Sequence, residues 1–240
     1  MFCRKDKIFI ISELSPQNEG DISFLKTMML QSKMAGADAV KLQVYDSVKF
    51  LGDDRKKFGE INKNELIELI DYANSIDIPL FASCFDEERL QWLIDLGLPY
   101  LKIPSKMYSR DRALVEKSLK TGKKTFISNG LDPDNFDYSD SKNAVYFYCV
   151  AKYPAFLEDI EMPDFYNSNY SGYSDHTYGL TAAKVAVSKG AKYIEKHFTL
   201  SKGMQSSINK CSDNGRDSTS NLPSSSLQMS NMSLRILNKL

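Results

Sequence analysis

The strongest constraint on what this chain can fold into is a rhythm of short apolar runs alternating with longer amphipathic ones. It begins at residues 8–14, where Ile8, Phe9, Ile10 and Ile11 follow one another with no polar period, as in a strand buried on both faces. The helix expected next has Asp21 as its N-cap, Leu25, Met28, Met29, Ser32 and Ala35 at helical spacing, and Gly36 as its stop. Further strands are expected at 39–44, 80–84, 100–103, 124–128, 145–150, 171–174 and 193–198, which makes eight with the first. Helical patterns lie between them at 64–75, 87–96, 112–121 and 180–189. Alternation of this kind specifies a parallel sheet, and eight strands in about 200 residues predict an α/β fold of the closed parallel (β/α)8 TIM-barrel type. The open doubly wound alternative lacks its usual sign, a G-x-G-x-x-G after the first strand. Two connections depart from the pattern. Residues 131–143 are acidic, turn-rich and too few for a helix with its loops, and 157–166 have room for a couple of turns, so the helices after strands five and six are expected to be short or missing.

Composition narrows the function classes. The 31 Lys and Arg balance the 31 Asp and Glu, which argues against a dedicated nucleic-acid or anionic-membrane binder. No run approaches the roughly 18 apolar residues of a membrane span, and the first apolar stretch is cut short at Ser12 and Glu13, so the expected address is cytoplasmic. Cys3, Cys84, Cys149 and Cys211 form no C-x-x-C pair, which suggests neither a disulfide framework nor a zinc ribbon. After residue 200 the character changes: eleven of the last forty residues are Ser and five are Asn. The expected organisation is therefore a barrel over 1–203, an irregular polar segment over 204–226, and a closing helix over 227–240 carrying Leu227, Leu234 and Leu237.

In a parallel barrel the functional groups gather where the strands end and the βα loops converge. Glu13 ends the first expected strand; the second carries Lys41 and Gln43, the third ends at Ser83, and the fourth carries Lys102 and Ser105. Ser128 ends the fifth, Ser174 and His176 close the seventh, and Glu195 and His197 close the eighth. His176 and His197 are the only histidines in the chain, on strands that would be neighbours around the rim. A lone histidine is more often a hydrogen-bonded core or surface residue, and a spacing of 21 residues is no metal motif, but the paired placement allows two imidazoles to share one ion. Lys41 and Lys102 interrupt apolar strands, so each needs an anionic partner. A structural salt bridge to Glu13 or Glu195 and a phosphate or carboxylate ligand are both open, with Ser105, Ser128 and Ser174 adding hydroxyl donors.

The strings I-I-S-E-L, N-E-G-D, G-A-D-A-V-K-L-Q, F-D-E-E, L-K-I-P-S, I-S-N-G, Y-P-A, G-Y-S-D-H-T and I-E-K-H-F-T-L, in this order, resemble the sialic acid synthase family over residues 7–203. That family comprises the N-acetylneuraminate synthases with their legionaminate and pseudaminate relatives. The resemblance implies condensation of phosphoenolpyruvate with the open-chain aldehyde of a 2-acetamido sugar to give a nonulosonic acid and phosphate, with Mn²⁺ or a similar ion. It implies that His176 and His197 hold the metal, that Lys41, Gln43, Ser83, Lys102, Ser105, Ser128 and Ser174 bind substrate, and that Tyr153 lies on the sugar side. Glu13 matches a carboxylate near metal and sugar and is the candidate for proton transfer. A homodimer is the usual assembly in the family.

The chain also departs from the pattern. Lys106 and Met107 follow Ser105 where the family has Gly-Glu, Ala151 stands where an Asn is usual, and Ile208 stands in place of an Asp. A thioether cannot move a proton. The small antifreeze-like domain that follows the barrel in the family, and sets an arginine on the sugar across a dimer, is expected to be absent. These departures keep a second expectation open, a degenerate barrel that binds phosphoenolpyruvate or metal without turnover, or a truncated synthase. A third, an aldol-type enzyme acting on a sugar phosphate, would need an extra basic cluster, and the sequence offers no clear one.

Overall fold

The computed structural model describes residues 7–15, 20–54 and 56–200. The chain runs through β1 (Phe9–Glu13), α1 (Ile22–Ala35), β2 (Ala39–Val44), α2 (Ser47–Leu51), α3 (Lys63–Ser75), β3 (Leu80–Cys84), α4 (Glu87–Asp95) and β4 (Tyr100–Ile103). It continues through α5 (Ser105–Arg110), α6 (Arg112–Lys120), β5 (Lys124–Ser128), β6 (Ala144–Tyr148), β7 (Tyr170–Asp175), α7 (Thr181–Ser188) and β8 (Tyr193–His197). All neighbouring strands pair in parallel, and β1 pairs with β8 to close the barrel in sequence order. The expected fold class holds. So do the two irregular connections: no α-helix joins β5 to β6, and a single 3₁₀ turn, Leu157–Asp159, lies between β6 and β7. The expected segments over 204–226 and 227–240, and Ile208, lie outside the described residues.

Local chemistry explains the element ends. Asp21 accepts the Phe24 N–H at 3.0 Å, and Gly36 turns the chain left-handed at φ 94°. Asn62 and Glu65 form a reciprocal capping box at the start of α3. Two helices are not foreseen from the sequence, α2 and α5, because five or six residues are too few to show an apolar period. Ser105 therefore opens a helix beyond β4 and is not part of the strand.

The barrel interior has two chemistries. Toward the N-terminal ends of the strands, Phe81, Phe126 and Phe147 fill it, with Phe81 and Phe126 ring centres 5.5 Å apart and Phe126 and Phe147 5.3 Å apart. Gly172 in β7 makes room for this layer, since a Cβ there would fall 2.8 Å from the Phe147 ring. Toward the C-terminal ends the buried side chains become polar and charged: Glu13, Lys41, Ser83, Lys102, Ser128, Ser174 and Glu195. Among the described residues no helix is long and apolar enough to cross a membrane.

Candidate active site

Sheet register assembles the polar layer. Glu13 lies beside Lys41 on one flank and His197 on the other, Ser83 lies beside Lys102, and Ser174 lies beside Glu195. Because side chains alternate in and out along a strand, Glu195 and His197 share one face of β8, while Lys196 faces away and pairs with Asp175 at 2.8 Å.

Glu195 is the hub. It accepts from Lys102 Nζ at 2.9 Å and from Ser174 Oγ at 2.9 Å, and it lies 3.3 Å from Lys41 Nζ. Lys41 is also ion-paired with Glu13 and donates to Ser83 Oγ at 3.1 Å. Glu13 in turn accepts from the Ser15 N–H at 2.8 Å and faces Gln43 Nε2 at 3.5 Å. Both lysines thus find the carboxylates that their place in apolar strands requires, and the two ammoniums are matched by two carboxylates.

The partners are shared unequally, and the protonation equilibria follow. Burial pushes the Glu195 carboxyl up, but Lys102 and Lys41 outweigh it and hold the group below the ordinary carboxylate range. Glu13 has a single lysine against the same burial and a neighbouring carboxylate, so its carboxyl is pushed up. Lys41, between two carboxylates, is raised in spite of burial. Lys102 is lowered by burial, which Glu195 offsets only in part, with Lys41 repelling it.

Burial drives His176 down to about 4 and His197 to about 3, with His176 and Lys41 lowering His197 further, so both imidazoles are neutral near pH 7. Their ring centres are 6.4 Å apart. His176 donates Nδ1–H to the Val150 carbonyl at 2.6 Å, which fixes the tautomer and leaves Nε2 as an acceptor. Tyr153 O–H occupies that acceptor at 2.9 Å. Two neutral imidazoles, one held by an outer carbonyl, fit a divalent ion that takes N and O ligands. Among the described residues no group of three or more His, Cys, Asp or Glu side chains converges on one point.

Glu13, Lys41, Gln43, Ser83, Lys102, Ser174 and the two histidines therefore form one constellation. Ser105 Oγ accepts the N–H groups of Gly130 and Leu131, both at 2.9 Å, and so ties the start of α5 to the loop after β5, while its hydroxyl, like that of Ser128, faces the buried Cys149 thiol. Ser128 is buried at the end of β5. Tyr153 is half exposed and leans on the His176 ring at 4.1 Å. Met107 packs against the core from α5, and Ala151 is exposed. Glu195 was legible as a possible partner of a lysine but not as the hub, although its strand parity with His197 carries that signal. The Val150 carbonyl has no side-chain signature.

Comparison with known proteins places the chain in a wider group. Residues 28–219 match the family model described as the NeuB family. The chain is 31% identical to the uncharacterized protein MJ1065 of Methanocaldococcus jannaschii over 216 residues, covering 82% of this chain and 64% of that protein. It is 30% identical over 239 residues to the pseudaminic acid synthase of Campylobacter jejuni serotype O:2 (strain NCTC 11168), covering 86% of this chain and 69% of that one. The N-acetylneuraminic acid synthetase of Leptospira borgpetersenii, solved in complex with citrate, superposes with a TM-score of 0.81 over 98% of this chain and 82% of that one. At 24% identity that likeness shows the fold alone.

Proposed function

The chain belongs to the NeuB family, and from that premise we propose that it condenses phosphoenolpyruvate with the aldehyde of a 2-acetamido sugar, giving a nonulosonic acid and phosphate. The observation that carries the reading is the buried layer of Lys41, Lys102, Ser83 and Ser174 around Glu195, directly beside two neutral imidazoles at the C-terminal end of the barrel. Related synthases support the reaction class.

In this reading Lys41 and Lys102 grip the carboxylate and phosphate of phosphoenolpyruvate, with Ser83, Ser128 and Ser174 as hydroxyl donors and Gln43 beside Glu13. Ser105 contributes by holding the Gly130–Leu131 turn. The resident carboxylates already balance the lysines, so a multiply charged anion needs more positive charge in the site. A divalent ion, Mn²⁺ by family resemblance, held by His176 and His197 would supply that charge and polarise the sugar carbonyl. A proton on Glu13 would act in the same sense, and burial already favours the protonated carboxyl. Carbon 3 of phosphoenolpyruvate bonds to the aldehyde carbon as the aldehyde oxygen takes a proton for which Glu13 is the donor. Water adds to carbon 2 and returns one proton to Glu13, and the C2–O bond to phosphate then breaks, the remaining hydroxyl proton leaving with phosphate and the 2-keto group forming. Holding the two substrates in register is the barrel's main contribution.

A second reading rests on the same ion pairs. Lys41 and Lys102 are each paired with a carboxylate within the protein, as in a purely structural network, and Met107 stands where the family has a carboxylate. This is the degenerate barrel, which binds without turnover. The deciding experiment measures phosphate release from phosphoenolpyruvate with Mn²⁺ and a panel of 2-acetamido and 2,4-diacetamido hexoses, with product masses recorded. Sugar-dependent release with a nonulosonate mass supports the synthase. Folded protein that binds Mn²⁺ and releases nothing supports the degenerate barrel.

A further inference from the structure

Tyr153 stands in the place an ion would need. Its O–H donates to His176 Nε2 at 2.9 Å, and the only other nitrogen of that ring is committed to the Val150 carbonyl at 2.6 Å. Metal ligation through His176 requires the Nε2 lone pair, and one lone pair cannot serve a phenol proton and a cation together. The ring of Tyr153 lies 4.1 Å from the His176 ring and 6.1 Å from that of His197, edge-on to the latter, so it covers both imidazoles from one side.

We infer that Tyr153 is a displaceable stopper on the two-histidine site: its phenol caps His176 Nε2 in the metal-free protein and must swing away for a divalent ion to bind. The backbone around it restricts how this can happen. The next residue but one, Ala155, donates its N–H to the His176 carbonyl at 3.0 Å and bridges to Thr177, while Val150 is held from the other side by the His176 ring. The loop is thus strapped to the same strand end that carries the imidazole, and the freedom lies in the Tyr153 side chain. That side chain has somewhere to go, since the residue is 48% exposed. A phenol released from Nε2 turns toward solvent, so ion binding and the position of this ring are coupled.

The inference rests on the reading of His176 and His197 as the metal site, and the test separates the two. Mn²⁺ binding to the metal-free full chain is measured by calorimetry and by loss of the free-ion paramagnetic resonance signal, for wild type, Tyr153→Phe and His176→Ala. Folding of each is checked by thermal melting. Ser174 Oγ also lies 3.4 Å from His176 Nε2, but its proton goes to Glu195 at 2.9 Å, so Tyr153→Phe, which keeps the ring and removes the phenol's hydrogen bond, is expected to bind Mn²⁺ about 3- to 10-fold more tightly, the range one ordinary hydrogen bond confers. Unchanged or weaker binding by Tyr153→Phe, with tight binding by wild type that His176→Ala abolishes, overturns the stopper and leaves the metal site standing. Equal binding by wild type and His176→Ala, or none by wild type, overturns the metal site and the stopper with it. Tyr153→Leu provides a second variant: it also lacks the phenol and is expected to bind at least as tightly as wild type, and weaker binding by folded Tyr153→Leu counts against the stopper.

Discussion

Glu195 touches both buried lysines and Ser174, so the charge balance of the site turns on one side chain. Glu195→Gln keeps its shape while leaving two buried ammoniums with Glu13 alone. Removing one partner of such a network costs about 3–5 kcal/mol, and the midpoint of denaturant unfolding should fall accordingly; a loss under about 1 kcal/mol would mean that water reaches the lysines. The histidines make a second prediction. The unfolded chain protonates imidazole near 6.5, but burial holds His176 at about 4 and His197 at about 3 in the folded protein. Their contribution is therefore complete above about pH 6.5 and lost as pH falls toward the folded values, at about 1.4 kcal/mol per pH unit for each ring. In the presence of chelator, His197→Gln should lose less stability than wild type between about pH 6.5 and 4. Equal slopes would contradict the burial of the ring as the cause.

Among the secondary-structure elements, packing inside the barrel decides more than strand propensity does. Gly172 lies under Phe147, and Gly172→Ala would force its Cβ to 2.8 Å from that ring. Overpacking of this kind costs about 1–3 kcal/mol, measured by thermal or denaturant unfolding, and Phe147→Leu in the same chain should recover much of it. Failure of the second change to rescue would place the cost in the β7 backbone. Loss of the Asn62 cap in Asn62→Ala should cost about 1 kcal/mol, since two N–H groups at the start of α3 lose their acceptor. The strands were legible to within two residues at their ends because runs such as Ile8–Ile11 and Leu80–Ala82 are apolar on both faces of the sheet. What escaped were α2 and α5, too short for a period, and the role of Ser105, whose two donors lie 25 and 26 residues away across a turn. Lys41 and Lys102 announced themselves as buried cations in need of carboxylates. The contact of Tyr153 with His176 did not, because a loop residue 23 positions from its partner leaves no spacing to read.

Across the molecule, closure of the barrel does what no local segment can: β1 meets β8, so Glu13 and His197, from opposite ends of the fold, become lateral neighbours. The lower layer of aromatic rings supplies the packing, and the upper layer holds charge that folding alone does not require, since an apolar core of similar volume would serve stability as well or better. Under the proposed function that charge would have a reason, with Lys41 and Lys102 placed to hold an anionic substrate. Calorimetric titration of the full chain with phosphoenolpyruvate in the presence of Mn²⁺ probes this without requiring turnover, comparing wild type with Lys102→Met, each confirmed folded by its thermal melt. Truncating one side of a buried, hydrogen-bonded charge contact costs about 2–5 kcal/mol, so Lys102→Met is expected to weaken phosphoenolpyruvate binding by at least about 30-fold. Equal affinity in the two proteins, or no binding by wild type, would show that the lysines do not hold phosphoenolpyruvate and leave them as parts of a structural network.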